Sequence, residues 1–204
     1  MKLKALARAV SLISGLIATV PGSSATPAND MRLTIRVLDY ADLPPAALAE
    51  LEANAKRILR QAGVAVDFVE CFTGGVETRS EACGAPLGPF VFNLRILEPR
   101  QAMKGEQLGY AAMSPEGGAI VTVFLNPAQR KARVASLSDP AFLGHAVAHE
   151  VGHLLLGPNA HSSSGVMRPV MRESDEEWMA RGLLLFSADQ ARRMQARLRA
   201  RLSR

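Results

Sequence analysis

The sequence predicts an α+β domain, and three observations predict it. Leu33, Ile35 and Val37 alternate with Arg32, Thr34 and Arg36, the pattern of a half-buried strand. Leu48, Leu51, Ala55, Ile58 and Leu59 then recur at helical spacing until Gly63, and Val64, Val66 and Phe68 alternate again. Strand, helix, strand is expected to form a right-handed βαβ unit with a parallel pair. Phe90, Phe92, Leu94 and Ile96 supply a third strand and Ile120 to Leu125 a fourth.

The ends set the context. The first 25 residues carry Lys2, Lys4 and Arg8, an apolar run from Ala9 to Val20, and small residues at Gly22-Ser23-Ser24-Ala25. A signal peptide is expected over 1–25, too short for a comfortable membrane span, followed by one domain over 26–204 that is secreted or periplasmic. Removing three positive charges lowers the formal balance from +5 to +2, so the basic precursor says little about nucleic acid, and no nucleic-acid-binding motif is visible. No membrane span is expected once the leader is gone, and the mature chain is expected to act as a monomer. Cys71 and Cys83, an even pair in an exported chain, are expected to form a disulfide contributing about 3 kcal/mol.

Two helices follow the strands. Asp139 suits an N-cap, Pro140 a first helical position, and Gly157-Pro158 a stop, which predicts a helix over 140–156. Phe142, Leu143, Ala146, Val147, Val151, Leu154, Leu155 and Leu156 leave it almost no polar face, so it is expected to be buried. Near the end, Ser187 and Gln190 form a capping box for a helix with Ala191, Met194, Leu198 and Leu202 on one face. Its arginines, Arg192, Arg193, Arg197, Arg199 and Arg201, read most simply as a solvated face, with contact to an anionic surface as the alternative.

The buried helix carries the chemistry. All four histidines, His145, His149, His153 and His161, fall within one short stretch, and 149–153 reads His-Glu-Val-Gly-His. On a helix, residues four apart share a face, so His149 and His153 can meet one metal ion while Glu150 reaches the same cleft. A buried helix must pair such groups or bind something with them, because an unpaired buried charge is costly. A catalytic zinc site usually needs a third protein ligand and an open water position. The candidates are His161, to which Gly157 lets the chain fold back, and the downstream Glu173, Glu176 and Glu177. His145 lies one turn before His149; a fourth imidazole would close the water position, so it reads better as a residue supporting the site.

From His149 through Gly157 and His161 to Met167, this pattern resembles the metzincin metallopeptidases, whose signature is H-E-x-x-H-x-x-G-x-x-H followed by a methionine-containing turn. Here three residues rather than two separate His153 from Gly157, and three rather than two separate Gly157 from His161. The resemblance implies a mixed twisted sheet with an active-site helix and a C-terminal helix, and Zn2+ held by His149, His153 and His161. It also implies Glu150 as general base, Met167 as the turn methionine, and Pro169 and Val170 as walls of a substrate pocket. Leu108 to Ala112 would be a loop leading into an edge strand at Ile120 to Leu125 that holds an extended peptide; an ordinary sheet strand is the alternative there. The function so implied is an exported zinc endopeptidase acting on peptide or protein substrates. The rival is an exported zinc-binding structural or binding domain with weak or no catalysis, against which the intact Glu150 argues.

Overall fold

The structure, a computed structural model, describes residues 32–98, 107–113, 118–134 and 138–202. The expected signal peptide at 1–25 lies outside them. In chain order the elements are β1 (Leu33–Asp39), α1 (Pro45–Gln61), β2 (Val66–Thr73), β3 (Val76–Glu77), α2 (Glu81–Gly84), β4 (Val91–Leu97), β5 (Gly109–Met113), β6 (Ala119–Phe124), α3 (Leu125–Val134), α4 (Asp139–Leu156), α5 (Glu173–Ala180) and α6 (Ala188–Leu202).

The fold is α+β around one sheet of six strands, ordered β3-β2-β1-β4-β6-β5. β2, β1, β4 and β6 run parallel, while β3 and β5 are antiparallel edges. The β1-α1-β2 start is the expected strand–helix–strand unit with a parallel pair. Register puts Val37, Leu94 and Val121 in one row across the sheet, and all three are fully buried. That row shares a single core with Leu51 and Ile58 of α1 and Val147, Val151 and Leu155 of α4. Burying each such side chain contributes roughly 1.5–3 kcal/mol, so these rows set where α4 lies against the sheet. Buried Asp39 ends β1 by accepting from the backbone N–H groups of Ala41 and Leu43, at 3.0 and 2.8 Å, which turns the chain toward α1.

Cys71 and Cys83 form a disulfide that ties α2 to β2. At the other end of the chain, Ser187 and Gln190 make the expected reciprocal cap of α6.

Several sequence expectations need correction. The strand at 120–125 is β6, an inner strand that ends at Phe124; the edge beside it is β5, where a loop was expected. Gly109-Tyr110-Ala111-Ala112-Met113 has no β-branched residue, and only its ladder to β6 makes it a strand. Leu125 and Asn126 open α3 instead, with Pro127 in the first turn, where its missing N–H costs nothing. The N-cap of α4 is Ser138, whose hydroxyl accepts from the Ala141 N–H at 3.2 Å and donates to Glu50 at 2.6 Å, while Asp139 is the first helical residue. Arg201 is only half-exposed and is not simply part of a solvated face: it donates to the carbonyls of Pro89 and Leu154 and lies 5.4 Å from the centre of the Phe92 ring.

Candidate metal centre

Helix α4 lies between the sheet and its helical neighbours, touching α1, α3, α6, β5 and β6. Gly144 lets it approach α1, since a Cβ there would come within 2.8 Å of the Leu51 carbonyl. Gly152 does the same on another face, where a side chain would overlap the Met167 sulfur and the Phe186 ring. Gly157, at φ +106°, stops the helix in a conformation that L side chains rarely adopt, and its N–H donates the last helical hydrogen bond to the His153 carbonyl at 2.8 Å.

The chain then loops back and brings three imidazoles together. Nε2 of His153 lies 3.1 Å from Nε2 of His149 and 3.1 Å from Nε2 of His161. One ring nitrogen from each of the three lies within 4.8 Å of the others. Nδ1 of His149 is 2.7 Å from the Val166 carbonyl, and Nδ1 of His153 is 3.3 Å from the Gly157 carbonyl. A carbonyl can only accept, so both rings carry their proton on Nδ1 when neutral, and both Nε2 atoms present lone pairs. Burial drives both groups toward the neutral form, lowering His149 to about 4 and His153 below its ordinary value. Two lone pairs facing each other at 3.1 Å repel unless a cation lies between them.

The donor set suits zinc. Nitrogens at about 2.0–2.1 Å in a tetrahedral arrangement stand roughly 3.3 Å apart, close to the two separations found here. His145, by contrast, does not join the cluster. Its Nδ1 donates to the Ala141 carbonyl at 2.9 Å, it is only 4 % exposed, and burial holds it down at about 4. Glu173, Glu176 and Glu177 stand on α5 and line neither the cluster nor the cleft beside it.

That cleft encloses about 470 Å³. It is lined by Gln107, Leu108 and residues Gly109, Tyr110 and Ala111 of β5, by Pro169, Val170 and Met171, and by His145, His149, Glu150 and His153 of α4. Glu150 is 7 % exposed, and burial pushes its carboxyl up to about 7. Gly109 of β5 lies close to it: a Cβ there would stand 3.2–3.3 Å from the Glu150 side chain. A Cβ there would first of all overlap the Thr122 carbonyl of β6, so the glycine is needed chiefly for β5 to pair this closely with β6, and it also leaves room for the carboxylate.

Met167 is fully buried against Gly152, one residue before His153 in α4. Its carbonyl accepts from the Ser162 N–H at 2.9 Å, and the neighbouring Val166 N–H donates to the Leu185 carbonyl at 3.1 Å. Arg168 then pairs with the buried Asp175 of α5 at 2.9 Å, and Asp175 also accepts from the Arg172 N–H at 3.0 Å. Sequence reasoning missed this pair and Gly109. Neither carries a local signature, because each matters only through a partner distant in the chain.

Compared with known proteins, the chain matches no protein-family model and no curated protein sequence. Among solved structures it is similar to a crystal structure of a zinc-dependent peptidase from Methanocorpusculum labreanum (strain Z), with a TM-score of 0.49 and 14 % identity, covering 78 % of this chain and 99 % of that one.

Proposed function

We propose that this chain is an exported, metzincin-like zinc endopeptidase in which His149, His153 and His161 hold the metal and Glu150 is the general base. The observation that carries this reading is the convergence of three imidazoles, two with their protons tied to backbone carbonyls and their lone pairs turned on one another at 3.1 Å. Lone pairs held this close repel one another without a cation and suit one well.

When bound, zinc supplies Lewis acidity toward water and toward a substrate carbonyl oxygen. The chain's own residues do the rest. Glu150 sits in the same cleft, and burial gives it a proton affinity near neutrality, so it can take a proton from the attacking water and return it to the leaving amine. β5 has no partner strand on its outer side among the described residues, so its backbone can pair with an extended peptide. Pro169 and Val170, which also line the cleft, bound the space for a substrate side chain. Export is supported by the leader-like first 25 residues and by the Cys71–Cys83 disulfide.

The test is metal content and activity on one preparation. The wild type should hold about one zinc and cleave a denatured general protein substrate, and Glu150→Gln should keep the zinc while losing about 10²–10⁴-fold in rate. Full zinc occupancy without cleavage by the wild type would favour the binding-domain alternative; absence of zinc would overturn the site assignment.

A further inference from the structure

Once the three clustered imidazoles and Glu150 are set aside, most of the cleft's lining is apolar, with Phe142, Ala146, Val166, Met171 and Leu184 among it. Arg168 is the exception, the one arginine or lysine among the described lining residues. It follows Met167 directly and stands two residues after Val166, whose carbonyl holds the His149 ring at 2.7 Å. The guanidinium thus belongs to the turn that supports a metal ligand.

How Arg168 is held decides what it can do. Its side chain is only 13 % exposed, and its Nε, sealed from solvent, lies 2.9 Å from Oδ2 of Asp175. Asp175 is itself buried and is fixed by the Arg172 N–H at 3.0 Å. Asp175 therefore grips one edge of a planar fork. The other edge is open: neither Nη1 nor Nη2 has a protein partner among the described residues, and neither is sealed as Nε is. A guanidinium matches a carboxylate in shape and charge, holding it through two parallel N–H···O bonds that strengthen where water is scarce. Glu150, the one carboxyl lining the cleft, is assigned to the reacting water, which leaves this edge to a group from outside the chain.

We propose that Arg168 is a specificity-determining residue whose free edge takes a carboxylate of the bound peptide, so that the cleft prefers substrates with Asp or Glu close to the scissile bond. Asp175 is the positioning residue that fixes how that edge is presented. A side chain and the free C-terminus of a short peptide offer the same carboxylate chemistry. The inference rests on the peptidase reading for its substrate, and peptide binding measured without cleavage separates the two.

The experiment uses labelled, end-blocked peptide pools with neutral random flanks and either Glu or Gln at the centre, and a neutral pool ending in a free carboxylate. Cleavage is followed with the wild type, and binding by fluorescence anisotropy with Glu150→Gln, which holds a peptide without cutting it. The Glu pool should be cleaved and bound about 10–100-fold better than the Gln pool, as a charge-assisted hydrogen-bond pair predicts. A preference shown only by the free-carboxylate pool would keep the site and assign it to a chain end. Arg168→Gln alone strands the buried Asp175, so the test variant is Arg168→Gln/Asp175→Asn, with its fold checked by circular dichroism. It should treat the Glu and Gln pools alike and still cleave the Gln pool, whereas Arg181→Gln, exposed and outside the cleft, should keep the preference. Arg168→Lys, which keeps a charge against Asp175 but loses the fork, should retain the fold and lose most of the preference. Equal handling of both pools by the wild type, or an undiminished preference in the Arg168 variants, overturns the proposal. If no pool is cleaved but the Glu pool still binds better through Arg168, the peptidase reading fails and the carboxylate site stands.

Discussion

Two of the three clustered imidazoles stand on α4 and the third on the loop behind it, and the two supports are built differently. His149 and His153 belong to a helix buried on nearly every side, and each ring is tied through Nδ1 to a carbonyl. His161 is exposed, without an Nδ1 partner among the described residues, and its loop is held from outside by Ser162 and by the turn at Met167. The helix is therefore a pre-organised two-pronged ligand, while the loop is the adjustable part that completes it. Sites of this construction lose everything when a helix ligand goes and respond in degrees when the loop changes.

The largest expected effect tests that asymmetry directly. His149→Ala and His153→Ala should each leave no measurable zinc by metal analysis, since removing either leaves at most two clustered imidazoles. His161→Ala should weaken zinc by more than the ~10–100-fold typical of a residue behind the ligands, whereas Glu173→Ala, Glu176→Ala and Glu177→Ala should leave affinity unchanged. Unchanged affinity in His161→Ala would break the comparison, because the loop would then contribute nothing.

Next in size is a change remote from both supports. Removing the disulfide with Cys71→Ser/Cys83→Ser, which opens a loop of sequence separation 12, should cost about 3 kcal/mol in denaturant unfolding while zinc stoichiometry stays the same. Zinc loss in the folded variant would mean that the far end of the sheet also positions the site.

Gly152→Ala probes the contact between helix and loop. The added methyl meets the Met167 sulfur and the Phe186 ring, and should cost roughly 1–3 kcal/mol with a measurable fall in zinc affinity. A stability loss with unaltered zinc affinity would show that Met167 does not govern how the loop presents His161.

The smallest effect is a pH dependence that involves neither support. Glu52 on α1 has a buried oxygen, Oε1, without a hydrogen-bond partner among the described residues. Burial first, and then Glu70, push its carboxyl up to about 7, with Lys56 opposing. Its folded-state pKa thus lies above the ordinary value of 4.5, so this group's contribution to stability is full below 4.5 and is lost as pH rises toward 7. Glu52→Gln should raise the melting temperature at pH 8 and leave it nearly unchanged at pH 4. An equal rise at both would assign the gain to something other than ionisation.

What could be read in the chain alone was whatever is written in short-range order. Alternation marked β1, β2 and β4, an apolar run marked β6, helical spacing marked α1, α4 and α6, and Gly157 marked the stop of α4, because each pattern reflects how a local element meets the core. The spacing of His149, Glu150 and His153 likewise put three side chains along one helix before any fold was known. Tertiary structure decided the rest. β5 is a strand only because β6 pairs with it, and β6 is an inner strand for the same reason. The choice between His161 and the α5 carboxylates as the group joining His149 and His153 depended on where a loop of free length returns, and local sequence does not encode that return. It is held by contacts between residues far apart in the chain: Met167 against Gly152, Val166 with Leu185, and Arg168 with Asp175.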